Sequence, residues 1–305
     1  MNKKTLAISV GDLNGVGIEI ILNSHNDIIK LCNPIYCIND TMLKQAAKLL
    51  NISIPKSFET ANTDGYFEII PAKTDANAGQ YSYNSFMDAI NLCENKKAHA
   101  IVTMPIHKEA WALASLPYKG HTDLLRKHFK QDAIMMLGCE EMFVALFSEH
   151  IPLKDVASMV NEENLIKFLQ NLHKSIGDKK TAVLGLNPHA GDNGVLGNEE
   201  KEINSAIEYV NKLIGKEIFV GAIVPDIAFT PHFRKNFNYF VAIYHDQGLA
   251  PLKALYFDES INISLNLPII RTSVDHGTAF DIAYKNKAKN LSYINAVKSA
   301  IKLSV

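Results

Sequence analysis

The chain has 305 residues, 47% of them hydrophobic and 21% charged, with a formal net charge of −1. That length accommodates two medium-sized domains with substantial cores, and the composition excludes a fibrous or low-complexity protein. The even charge balance offers no basic face to nucleic acid or to an anionic membrane, so small-molecule chemistry is expected.

The opening "MNKKTLAISVGD" carries two lysines before an apolar run of only six residues. This is too short for the core of a signal peptide, and no later stretch reaches the length of a membrane span. A cytoplasmic protein is therefore expected. Strand "TLAISV" runs into the glycine-rich "GDLNGVGIEI". Next come strand "PIYCIN", helix "TMLKQAAKLL", strand "YFEII", helix "SFMDAINLCENKK" and strand "AIVTM". The middle of the chain reads as strands "AIMMLG" and "MFVALFS", helix "NLIKFLQNLHKSI", strand "TAVLGL", helix "EEKEINSAIEYVNKLI" and strands "IFVGAIV" and "YFVAIYH". The strand-like "NISLNLPII" and helix "YINAVKSAIKL" close it. Such alternation predicts an α/β protein with a mainly parallel sheet. Ligands of such sheets bind beyond the carboxyl ends of the strands.

Three of the eleven histidines stand at such ends: His150 after "MFVALFSE", His189 after "TAVLGLNP" and His245 after "YFVAIY". Three imidazoles around one point suit a divalent metal with open positions for water or substrate oxygens. The competing reading is a set of unrelated structural histidines, since His107 also follows a strand. Around His189, Gly185, Gly191, Gly194 and Gly197 allow close backbone approach to a ligand, or simply a turn before the next helix. In "YHDQGLAPLK", Gly248 is expected to turn the chain away from this rim and Lys253 to return to it.

Only three basic residues are arginines, Arg126, Arg234 and Arg271. Arg271, directly after an apolar run, points to a planar fork for carboxylate or phosphate, with a buried ion pair to an aspartate as the alternative. Lys253 and Asn262 would add a charge and an amide to that clamp. In "YKGHTDLLRKHF", Gly120, His121 and Thr122 open a helix whose amides would hold an anion, unless Thr122 is only its N-cap. Thr278 and Asp281 fit a capping box. Cys32, Cys37, Cys93 and Cys139 form no CxxC pair and read as buried reduced thiols. No GxGxxG, GxxxxGK[ST] or GxSxG motif is present.

Taken together, "GDLNGVGIEI", "TMPIHK", "GHTD", "SEHIPLKDV", "GLNPHAGDNGVLGNEE", "YHDQGLAPLK" and "NISLNLPIIRTSVDHGTAFDIA" closely resemble the 4-hydroxythreonine-4-phosphate dehydrogenase family of vitamin B6 synthesis, itself related to the isocitrate and isopropylmalate dehydrogenases. The resemblance implies a two-domain α/β/α fold without a Rossmann fingerprint, and a homodimer whose active site lies in an interdomain cleft completed by the neighbouring subunit. The domains implied are residues 1–118 with 272–305, on the cofactor side, and residues 119–271. It makes His150, His189 and His245 metal ligands, with Asp226 nearby. It makes His121, Thr122, Lys253, Asn262 and Arg271 substrate-binding residues, and gives His245, Asp246 and Lys253 catalytic roles.

By the same resemblance Gly11, Asp12, His276, Gly277, Thr278 and Asp281 contact NAD or NADP, and the metal is zinc, cobalt, magnesium or manganese. The implied reaction oxidises 4-phosphohydroxy-L-threonine and decarboxylates the product to 3-amino-2-oxopropyl phosphate. Leu13 and Ile18 stand where the family's first motif carries prolines, and Asp123 and Asp192 where it carries glutamates. The alternatives are a dehydrogenase of threonate or erythronate 4-phosphate, a metal-dependent phosphohydrolase, or a catalytically silent ligand-binding module.

Overall fold

A computed structural model describes residues 3–304, and they divide into two compact units, residues 3–131 with 261–304, and Asp132–Ser260. The first unit begins with β1 (Thr5–Ser9), α1 (Gly17–Leu31), β2 (Asn33–Cys37), α2 (Asp40–Leu50) and β3 (Thr60–Ala61). It continues through α3 (Ala76–Glu94), β4 (Ala100–Thr103), α4 (Lys108–Leu113) and α5 (His121–Phe129). The second unit holds β5 (Ile134–Cys139), β6 (Met142–Leu146), α6 (Leu153–Met159), α7 (Glu162–Ile176), β7 (Thr181–Leu184) and α8 (Glu199–Ile214). After these come β8 (Phe219–Ile223), α9 (Pro225–Ala228), α10 (Pro231–Arg234), β9 (Tyr239–Ala242) and α11 (His245–Tyr256). The chain then returns to the first unit as β10 (Ile261–Leu265), β11 (Arg271–Val274) and α12 (Leu291–Leu303).

In the first unit the strands order β3-β2-β1-β4-β11-β10, antiparallel only between β10 and β11. In the second they order β5-β6-β9-β7-β8, antiparallel only between β5 and β6. Leu6, Ala7 and Ile8 of β1 are fully buried, as expected for parallel strands covered on both faces. Helix α7 turns Leu165, Leu169 and Leu172 inward and α8 turns Ile203, Ala206, Ile207 and Val210 inward. That spacing gives each an apolar stripe along which the two helices pack. Asn39, Asp75 and Asn161 cap α2, α3 and α7 by accepting amide protons of the first turn.

Four expectations change. Helix α1 grows out of the "GVGIEI" segment that reads as a glycine-rich loop. The "YFEII" segment is extended but joins no ladder. Its Phe67 and Ile69 are buried in the alternation of a strand, yet the Gln45 amide donates to the Phe67 carbonyl at 3.0 Å and accepts from the Ile69 N–H at 2.5 Å. A side chain therefore satisfies the backbone there, and the two-residue β3 takes the sheet edge. The unit boundaries fall at 131/132 and 260/261, not 118/119 and 271/272, because α5 and β10 pack with the first core. Gly248 is not a turn but lies inside α11, where a Cβ would meet Val144 Cγ1 at 2.4 Å and Ala242 Cβ at 2.8 Å. Its bare backbone lets α11 lie directly on β6 and β9.

The cysteines behave as expected. All four are buried and unpaired, and burial pushes the Cys32, Cys93 and Cys139 thiols up to about 12, so none is a ready nucleophile. Among the described residues no helix is long and apolar enough to cross a membrane.

Candidate functional site

The second unit carries the candidate metal residues. Its β6 and β9 are neighbours, so the chain leaving β6 brings His150 beside His245, the first residue of α11. The two rings lie 5.4 Å apart, tilted by 45°. His245 Nδ1 sits 3.0 Å from Asp246 Oδ1. A carboxylate can only accept, so Nδ1 carries the proton in that contact, which orients the ring.

His189 follows β7 through a turn at Pro188–Gly194 whose residues His189, Ala190, Gly191, Asp192 and Asn193 all have positive φ, between 44° and 77°. Left-handed backbone costs non-glycine residues roughly 1–2 kcal/mol each, so surrounding bonds must hold it. Buried Glu200 does so by accepting the Leu186 and Asn187 N–H groups at 2.9 and 2.7 Å. Its other oxygen fills the space a Cβ on Gly191 would need, at 2.6 Å. Gln247 ties neighbouring strand ends together, accepting from Ile243 N–H and donating to the Gly185 carbonyl, both at 2.7 Å.

Among the described residues no three His, Cys, Asp or Glu side chains gather closely enough to hold a metal. The fold brings His150 and His245 together, and His189 stands in the left-handed turn that follows β7. Asp226 is exposed on α9 beside the turn. Lys253, on the same helix as His245, holds its ammonium 5.4 Å from the Phe257 ring.

The first unit carries the candidate anion residues. Arg271 is 3% exposed, and its partners are all neutral. Nε and Nη2 donate to Thr103 Oγ1 at 3.1 and 2.7 Å, and Nη1 donates to Ser264 Oγ at 3.2 Å. Nη2 also meets His121 Nδ1 at 3.0 Å. Among the described residues no carboxylate pairs with Arg271, so the alternative of a structural ion pair fails. Burial lowers the guanidinium to about 9, which leaves it charged near neutral pH. Desolvation, with the Arg271 charge, holds the His121 imidazole well below its usual range. His121 Nε2 and Asn262 Oδ1 are buried without a partner. A buried cation held by hydroxyls beside an imidazole with an unpartnered nitrogen is suited to an anionic ligand.

Thr122 is the second residue of α5 and not its cap, which is Gly120 at φ 153°. Asp123 accepts from Lys119 N–H and Lys127 Nζ at 2.9 and 3.0 Å. Sequence reasoning missed Thr103 and Ser264. Thr103 ends the strand "AIVTM", where the rule of carboxyl-end sites already pointed. Ser264 is legible only from its pairing opposite Arg271.

The candidate cofactor residues also cluster in the first unit. Gly11 has φ +69°, and a Cβ there would lie 2.2 Å from the Pro105 carbonyl oxygen, so only glycine fits. Asp12 is 1% exposed. One oxygen accepts the Asn14 N–H at 2.9 Å, the other has no partner, and burial raises the carboxyl to about 6. The Thr278 carbonyl accepts the Val16 N–H at 3.0 Å, fastening the "DHGT" loop to the first glycine-rich loop. His276 Nε2 is buried and unpartnered, and no atom lies within 4 Å of the Cβ position of Gly277. The capping box expected of Thr278 and Asp281 does not form. Ala279, at φ 44°, precedes the short turn Phe280–Ile282, which no side chain caps, and Asp281 is exposed. Leu13 and Ile18 are fully buried, and Tyr284 Oη donates to the Leu13 carbonyl at 2.7 Å. Packing and that bond restrain the loop where the family has prolines.

Residues 30–300 match the family described as pyridoxal phosphate biosynthetic protein PdxA. A 4-hydroxythreonine-4-phosphate dehydrogenase of Sulfurimonas denitrificans is 67% identical over 303 residues, covering 99% of both chains. One from Campylobacter fetus subsp. fetus is 54% identical over 304 residues, again covering 99% of each. Among solved structures, the crystal structure of a 4-hydroxythreonine-4-phosphate dehydrogenase from Klebsiella pneumoniae superposes with a TM-score of 0.83 at 30% identity. It covers 99% of this chain and 98% of that one.

Proposed function

We propose, for a chain that belongs to the pyridoxal phosphate biosynthetic protein PdxA family, the NAD(P)-dependent oxidation of 4-phosphohydroxy-L-threonine, followed by decarboxylation to 3-amino-2-oxopropyl phosphate. The observation that carries this reading is Arg271, a buried charged fork with only neutral partners, beside His121, whose Nε2 is buried and unpartnered. A doubly charged phosphate or a carboxylate answers those donors, and the names of the relatives supply the hydroxy-amino acid.

In this mechanism Arg271, His121 and the α5 amides at Thr122 bind the substrate's anion and fix its position, with the Asn262 amide as a further contact. Burial excludes water from that contact and strengthens it. His150 and His245 suit a divalent ion, since imidazole nitrogens bind zinc and cobalt well and substrate oxygens would also suit magnesium or manganese. His189 would complete the set from its strained turn or from a second copy, in keeping with a homodimer. Asp12, Gly11 and the His276–Thr278 loop suit a nicotinamide cofactor through their unpartnered polar atoms and open backbone, with Asp281 at the loop's exposed end.

When bound, the metal supplies a Lewis acid for the alcohol oxygen and the cofactor a hydride acceptor. Asp246, 3.0 Å from His245 Nδ1, orients that ring, and Lys253 on the same helix serves as a further catalytic group. Oxidation leaves a β-keto acid, whose loss of CO2 gives the aminoketone phosphate. The reading places the protein in the cytoplasm.

The test is incubation with 4-phosphohydroxy-L-threonine, threonate 4-phosphate and erythronate 4-phosphate, with NAD or NADP and each metal in turn. Reduced nicotinamide formed with the first substrate supports the proposal. Phosphate release without reduction would assign a hydrolase, and preference for a sugar acid would assign a paralogous dehydrogenase.

A further inference from the structure

Arg271 contacts His121 in a way that determines where the imidazole keeps its proton. A guanidinium has donors and no acceptor, so the 3.0 Å contact from Nη2 makes His121 Nδ1 the acceptor. The ring's proton must then sit on Nε2, the nitrogen that is buried and without a partner. Phe86 and Trp111 pack edgewise on the ring at centroid distances of 4.5 and 5.8 Å. These come from α3 and α4 and carry no charge. Arg271, from β11, is the charged group set against the imidazole.

What aims Arg271 is Thr103. Its Oγ1 accepts both Nε and Nη2, at 3.1 and 2.7 Å, a two-point grip that fixes the plane of the fork. Ser273 on β11 lies directly opposite Thr103 in the parallel ladder, its hydroxyl 3.3 Å from the Thr103 carbonyl and 3.0 Å from that of Val274. Ser264 steadies the third nitrogen. A carboxylate in place of Thr103 would hold the fork equally well but would neutralise it. A hydroxyl holds it and leaves the charge for the ligand.

We infer that Thr103 is a positioning residue: by gripping Arg271 it keeps His121 in the Nε2–H form, so that the substrate's anion meets a fixed cation and a fixed neutral donor. This rests on the reading of the Arg271 pocket as the substrate's anion site.

The test uses the full chain with 15N-labelled histidine, its His121 signals assigned with the His121→Asn variant, between about pH 5.5 and 8, the interval in which an ordinary imidazole titrates. The wild type should show His121 neutral and protonated on Nε2 throughout, and inorganic phosphate should shift the Nε2 signal. Titration within that interval, a proton on Nδ1, or no response to phosphate would overturn the inference.

Thr103→Val should let His121 titrate or mix tautomers and raise KM for the phosphorylated substrate about 10-fold, with kcat within about 3-fold, since the loss is one of binding and not of the chemical step. Thr103→Ser, which keeps the oxygen, should restore KM to within about 3-fold of wild type. A valine variant with unchanged spectrum and KM, or a serine variant no better than valine, removes Thr103 from the role. Should no substrate reduce nicotinamide, the dehydrogenase reading fails, while the spectra and the phosphate titration still decide this one.

Discussion

Asp12 offers a direct measurement of what a buried carboxyl costs its fold. The carboxyl is 1% exposed, and burial raises it from 3.8 to about 6. A folded value above the unfolded one means that stability is fully present below about 4 and is lost as pH rises through about 6. Over that interval the unfolded chain releases a proton that the folded chain still holds. At 1.36 kcal/mol per pH unit the difference is about 3 kcal/mol, a large share of a typical domain's total. Asp12→Asn keeps the size and the acceptor for Asn14 N–H but cannot ionise.

Urea unfolding of the wild type and the variant, from about pH 4 to 8, would follow Trp111, the single tryptophan, which is fully buried in the first unit. The gap between the two should move by about 3 kcal/mol in favour of the variant between about pH 4 and 6 and stay level above that. A gap that does not change with pH would refute the argument that Asp12 is forced to ionise in a dry site. If Asp12 serves the cofactor, the same variant should raise KM for NAD while gaining this stability.

Three further outcomes are expected. Arg271→Lys should raise KM for the phosphorylated substrate at least about 10-fold, because a point charge cannot reproduce the fork held by Thr103 and Ser264. Steady-state kinetics decide it, and unchanged kinetics would return Arg271 to a structural role. His245→Ala should weaken binding of zinc or cobalt by about 10-fold or more, read by calorimetry on the chelated protein, whereas equal affinity would move the metal elsewhere. Gly248→Ala should cost about 1–3 kcal/mol by overpacking, since its Cβ would stand 2.4 Å from Val144 Cγ1. A variant as stable as wild type in urea would show that α11 can slide off β6.

The alternation of apolar runs and helical periods determined the α/β class. His150 follows β6 and His245 follows β9, because parallel strands impose buried runs that stop where the chain must reach polar surroundings, whereas His121 opens α5 and Arg271 opens β11. Local pattern went wrong where a side chain replaced a ladder, as Gln45 does for the Phe67–Ile69 segment. It went wrong again where a glycine served close packing inside a helix, as Gly248 does. Only the tertiary structure decided what Arg271 touches. Thr103 and His121 lie 168 and 150 residues from it in sequence, and periodicity carries no information across such separations, while Ser264, 7 residues away, meets it through the β10–β11 pairing. Likewise the pairing of His150 with His245 follows from the neighbouring strands β6 and β9. The sequence determined which residues could do chemistry, and the folded backbone decided which of them meet, because contact depends on strand neighbours and backbone direction that no local pattern encodes.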